Sequence, residues 1–113
     1  MTMRIRNVLT EFEAHLEATE AGGNITGKSE WKQYGDGTFR FKIFVRNIEL
    51  PDGSQIDVLL DDVRVIQLTV QDNKTKADLE SPIQLGIPKV RAGQVLRVKF
   101  GETMWAEGIY QAE

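Results

Sequence analysis

From Phe39 to Arg46 the chain reads Phe39-Arg40-Phe41-Lys42-Ile43-Phe44-Val45-Arg46, and Phe39, Phe41, Ile43 and Val45 alternate with Arg40, Lys42, Phe44 and Arg46. Successive side chains of an extended strand point to opposite faces, so this period of two argues for a half-buried β-strand. Gly35-Asp36-Gly37 ahead of it is a turn signal. Before that turn, Gly27, Ser29, Trp31 and Gln33 alternate with Lys28, Glu30, Lys32 and Tyr34, so residues 27–46 read as a β-hairpin.

The same grammar continues. Leu50-Pro51-Asp52-Gly53 reverses the chain, with Pro at the second turn position and Asp-Gly supplying the tight geometry. Ile56, Val58 and Leu60 form a strand, Asp61-Asp62 a tight acidic hairpin tip, and Val63 to Val70 its partner. Gln71-Asp72-Asn73-Lys74 turns into a short strand over residues 76–80. Pro82, Gly86, Pro88 and Gly93 punctuate Ser81 to Gly93 too heavily for regular structure, which predicts a surface-crossing loop. Leu96, Val98 and Phe100 mark a later strand, and Gly101-Glu102 turns it into a last one over Met104 to Tyr110.

The N-terminal segment supports two readings. Phe12, Ala14, Leu16 and Ala18 alternate with Glu11, Glu13, His15 and Glu17, whereas Ile5, Val8, Leu9, Phe12 and Leu16 also stand at helical spacing. With only strands after it, a strand over residues 9–19 is favoured over a lone helix. Short strands with turns every ~8 to 12 residues predict an all-β fold, an antiparallel β-sandwich or flattened barrel of seven to eight strands. The expected core is Phe12, Leu16, Trp31, Phe39, Phe41, Ile43, Val45, Ile56, Val58, Leu60, Leu68, Leu79, Leu96, Val98 and Phe100.

At 113 residues this is read as a single β domain spanning 1–113, with one core burying roughly 65% of the surface the unfolded chain exposes. No cysteine is present, which removes disulfides, thiolate metal sites and cysteine nucleophiles. With 14 Lys and Arg against 17 Asp and Glu, both signs are spread along the chain. No basic stripe is evident, so no nucleic acid partner is expected. Uninterrupted apolar runs are far short of the ~20 residues of a membrane span or the ~7 to 15 of a signal-peptide core, so neither is expected.

Leu16 to Ala18, a Gly/Asn-rich spacer, Gly27-Lys28-Ser29-Glu30-Trp31, Gly35-Asp36-Gly37-Thr38 and the alternating strand through Val45 with Ile48 beyond it resemble the chordin-type (CHRD) β modules. Leu50-Pro51-Asp52-Gly53, Asp57-Val58 and Val65 to Val70 are similar to small bacterial all-β modules sharing that turn and an acidic hairpin. The resemblance covers roughly residues 11–100. It implies a binding or structural module without established catalysis, often extracellular or envelope-associated. One departure matters: where those modules carry a histidine pair, this chain has Gln55-Ile56-Asp57-Val58-Leu59-Leu60. No metal or polar role of those histidines is carried over.

Candidate sites are few. His15 lies between Glu13 and Glu17 in the strand alternation, a carboxylate-imidazole-carboxylate face, but zinc wants about four ligands in a closed shell, and a solvated face is the simpler reading. Asp52, Asp57, Asp61, Asp62, Asp72 and Asp78 match no calcium-loop spacing and are better explained as turn and hairpin formers. No nucleophile elbow, phosphate loop or matched acid, base and nucleophile set is present, so no catalytic residue and no cofactor is assigned. Trp31, Tyr34, Trp105 and Tyr110 could form an aromatic platform, with Trp31 assigned to the core and Trp105 to the surface.

The remaining signal is apolar residues out of phase. If Phe39, Phe41, Ile43 and Val45 face the core, Phe44 faces away, and Leu59 does the same beside Val58 and Leu60. Ile66 and Leu68 extend that face unless the sequence slips register at a bulge, and Leu68 also stands among the expected core residues. The candidate interaction surface is Phe44, Leu59, Ile66 and Trp105. Such a face is either covered locally or forms a subunit interface. The expected role is a non-catalytic structural or protein-interaction module, a homodimer or other homo-oligomer formed through a sheet face or edge strand; the alternative is a module binding a carbohydrate or a divalent cation.

Overall fold

The computed structural model describes residues 7–80 and 89–112. Each alternating segment is a strand: β1 Val8–Ala18, β2 Thr26–Tyr34, β3 Phe39–Arg46, β4 Gln55–Leu60, β5 Val63–Thr69, β6 Lys74–Glu80, β7 Val95–Phe100, β8 Thr103–Ile109 and a short β9 Gln111–Ala112. One turn of 3₁₀ helix, Glu20–Gly22, follows β1. The sheet runs β5-β4-β7-β8-β1-β2-β3-β6, all the pairs antiparallel, with β9 also on β1. Its two ends meet where Gln71 and Lys74 exchange backbone hydrogen bonds, so the sheet is a nearly closed, flattened barrel.

The helical reading of the N-terminal segment gives way to the strand. Phe12 stands opposite Trp31 in the β1–β2 ladder, and Trp31 opposite Phe41 in β2–β3. The Trp31 ring is stacked on Phe12 at 5.8 Å and tilted against Phe39 at 5.4 Å, a cross-strand aromatic row only an extended β1 can complete. The turns are those the sequence marks: Asp61 and Asp62 hold φ of 48° and 67°, and Asp72 and Asn73 hold 54° and 62°. Two successive left-handed residues match the right-handed twist of a two-residue hairpin, a geometry Asp and Asn tolerate well. Of the expected loop from Ser81 to Gly93, positions 81–88 lie outside the described residues.

Most of the expected core is buried, with corrections at the margins. Ile25, Tyr34, Ile48, Val70, Val90, Ala106 and Tyr110 join it. Several of these sit at strand ends or in connections, where no periodicity announces them. Phe100, expected inside, is 36% exposed at the end of β7. Ile66, expected on the outer face, and Leu68, expected in the core and also named for that face, stand opposite Val58 and Ile56, both buried. Directly paired residues share a face, so Ile66 and Leu68 point inward. A bulge is responsible: Val58 pairs with Ile66 but Leu59 with Arg64, leaving Val65 as the extra residue that shifts the phase of β5.

Candidate surface on the outer face of strands two, three and six

Register assembles what composition disperses. On the outer face of β2, β3 and β6, Lys28, Phe44 and Lys76 pair side by side, and Thr26, Arg46 and Lys74 form the next row. Residues in a row are about 4.8 Å apart and rows about 6.7 Å apart, so Lys28, Lys76, Arg46 and Lys74 flank Phe44 on three sides, and Glu30, Lys42 and Asp78 form the row on the fourth. Phe44 is 39% exposed, which is high for a phenylalanine in the middle of a three-strand face. Val45 and Thr75, one step along the strands, are buried, which fixes the outward direction of Phe44 and Lys76.

Gly27 sets the closeness of β2 and β3 here. A Cβ on it would lie 2.6 Å from the Phe44 carbonyl oxygen, so only glycine lets the two backbones meet at this rung.

The face is electrostatically divided. Two rows beyond Phe44, the cations are answered: Arg40 makes a two-pronged bond to Asp78, at 2.9 Å from Nε and 2.6 Å from Nη2, and Lys32 Nζ lies 3.3 Å from Glu11. The Arg40 guanidinium holds Asp78 below the usual carboxylate range, and Asp78 in turn raises Arg40. Lys28 bridges Glu30 and Glu13, each at 3.1 Å, and these carboxylates, Glu30 foremost, raise its ammonium pKa. By contrast, no ion pair among the described residues engages Arg46, Lys74 or Lys76. Arg46 stands directly opposite Lys74, a like-charge pair that destabilises a ladder when nothing bridges it.

Phe44 divides two shallow open depressions. One, of about 520 Å³, is lined by Lys28, Lys42 and Lys76 with Glu30 and Asp78; the other, of about 370 Å³, by Lys74, Lys76, Thr69 and Asp72. Lys76, Arg46 and Lys74, with no ion pair among the described residues, are thus gathered beside Phe44 by the fold. Sequence inspection misses this grouping because Lys74 and Lys76 reach β3 only across the intervening β4–β5 hairpin. The available signal was the single apolar residue in a cationic half of the alternation, Phe44.

The other expected surface residues do not gather here. Leu59 also lies between two cations, Arg64 and Arg97, but on β4, and those cations are engaged. Arg97 bonds Asp62 and Glu107, and Arg64 lies 3.6 Å from Asp57. Leu59 itself is half-buried. Ile66 faces inward as described. Trp105, expected to be exposed, is the extra residue of a β8 bulge and packs partly against the core, with Phe100 edge-on at 6.0 Å. Tyr34 and Tyr110 are buried, so the four-ring platform does not form.

His15 lies in another open depression, of about 520 Å³, with Glu13, Glu17, Arg97 and Glu107. Its Nε2 is 2.8 Å from Glu13, which Lys28 also holds. Among the described residues no three His, Asp or Glu are placed to hold a metal ion, and no helix there is long and apolar enough to cross a membrane.

No protein-family model and no curated protein matches the chain.

Proposed function

We propose that the chain is a non-catalytic binding module whose contact surface is the outer face of β2, β3 and β6 around Phe44, and that its partner is anionic. The observation that carries this is the exposed Phe44 ring set among Lys28, Lys76, Arg46 and Lys74, with the last three free of described ion pairs. A partner that covers the ring buries apolar area, and one that brings negative charge also relieves the Arg46–Lys74 opposition. The resemblance to chordin-type β modules points to the same general class. Association of two copies through this same face is disfavoured, because a twofold contact sets the cations against themselves.

The chain carries a net charge of -3, so at neutral pH it should pass unretained through a cation-exchange column if its charge were evenly spread. Retention on a phosphocellulose column at low salt is expected, and a Lys74→Glu/Lys76→Glu variant should flow through. Co-elution of both proteins in the void would sink the reading.

A second reading rests on the sheet edge. Among the described residues β5 pairs only with β4 along its length, and Val63 at its start is 67% exposed. An unpaired edge rich in β-branched residues is a template for strand addition by a second copy. Light scattering at high micromolar concentration should then report an oligomer that Val63→Lys dissociates; a monomeric wild type counts against it.

A further inference from the structure

Building on the binding surface proposed above, we infer that its occupant is single-stranded nucleic acid, with a base stacked on Phe44 and the backbone phosphates held by Lys76, Arg46 and Lys74. Three observations favour this over an acidic protein. The surface is made mainly of lysines around one ring, and lysine is depleted in protein–protein contacts, whereas lysine and arginine around an exposed aromatic is the composition of single-strand binding grooves. The ring is accessible on both flanks, because a depression opens on each side of it with Lys76 lining both, so a strand can cross the ring and continue past it. The cations stand in two adjacent rows about 6.7 Å apart, which suits a flexible polyanion with regularly repeated charges better than a single carboxylate. In the row on the other side of Phe44, Glu30 and Asp78 are occupied by Lys28 and Arg40 and flank Lys42, so that row carries both signs. No element of the face reads base edges, so little sequence preference is expected.

The test is fluorescence anisotropy with a labelled fifteen-nucleotide oligo-dT and, in parallel, a labelled oligo-glutamate of matched charge, each titrated with wild type, Phe44→Ala and Lys76→Gln after circular dichroism has shown the variants folded. Micromolar binding of oligo-dT at low salt is expected, weakened ~5- to 150-fold by Phe44→Ala through loss of one stacked base. Phe44→Ala should leave the slope of log K against log salt unchanged. Lys76→Gln should flatten it by about 0.7, one phosphate contact on a single strand. Binding of oligo-glutamate but not oligo-dT overturns the nucleic-acid inference and leaves the surface standing. Oligo-dT affinity indifferent to both substitutions also overturns it, since the strand then binds elsewhere. Failure of both probes to bind removes the inference and the proposed surface together.

Discussion

Tyr110 lies wholly inside the barrel with its hydroxyl 2.6 Å from Ser29 Oγ. Ser29 donates its one proton to the Lys42 carbonyl at 2.7 Å, which leaves Tyr110 as the donor to Ser29. Removing Ser29 Oγ orphans a buried phenol, so Ser29→Ala should cost about 1–3 kcal/mol in urea unfolding, and adding Tyr110→Phe should recover part of that loss. A strictly additive double variant would show that the two hydroxyls are uncoupled. The same burial pushes the Tyr110 phenol above its ordinary value of 10.0, against a smaller opposite pull from Ser29. A group raised in the folded state contributes stability that is intact below the unfolded pKa and lost as pH climbs above it. Wild type should therefore lose stability more steeply than Tyr110→Phe above pH 10, with a difference of up to about 1.4 kcal/mol per pH unit. Parallel pH profiles would refute this. Phe44, by contrast, has a partly exposed ring, and Phe44→Ala should cost about 1 kcal/mol in urea unfolding, less than truncating a core aromatic.

At the scale of strands, contact between elements is fixed by a few backbone approaches and turn carboxylates. Gly27 is one: its Cβ would also meet Leu16 Cδ1 at 3.0 Å, so Gly27→Ala must part β2 from β3 or displace the core. We expect about 1–3 kcal/mol of destabilisation, and a melting point lower by roughly 4–8 °C for each of those. An unchanged melting point would mean the backbones can separate freely. Asp61 is another, since from the β4–β5 turn its carboxylate accepts the Val95 N–H and the Gln94 amide, both at 3.0 Å, and so pins the start of β7. Those bonds, Val95 first, hold Asp61 below its ordinary value of 3.8. Stability from a depressed carboxylate is present above the unfolded pKa and lost as pH falls through the folded one. Asp61→Asn should thus lose less stability than wild type between pH 7 and pH 3, as read by urea midpoints. The strands and turns were legible in the sequence because each depends on a handful of neighbouring residues. The inward turn of Ile66 was not, because the bulge at Val65 depends on the partner strand.

For the molecule as a whole, β1 lies between β2 on one side and β8 and β9 on the other, so segments near both ends of the chain complete one sheet. Gly108 presses so near the His15 carbonyl that a Cβ there would sit 2.2 Å from its oxygen, and Tyr110 then enters the core. Truncation before Tyr110 should therefore destabilise the entire barrel, by at least the roughly 3–5 kcal/mol of a large buried side chain, rather than fraying an end. Hydrogen exchange confined to β8 and β9 in the truncated protein would contradict this. The same closure separates the two apolar positions that pointed away from the core. Leu59 on β4 faces cations already neutralised, while Phe44 on β3 stands beside Lys76, with Arg46 and Lys74 in the next row, none of them in an ion pair among the described residues, and Lys28 alone of its cationic neighbours is held by carboxylates.

By itself the sequence determined the all-β class, the strands, the tight turns and the outward placement of Phe44, because alternation and turn chemistry act over a few residues. Only the tertiary structure decided what surrounds Phe44. Lys28, Lys76, Arg46 and Lys74 reach it through lateral hydrogen-bond register between strands, and register is set by the whole set of buried faces closing on one core.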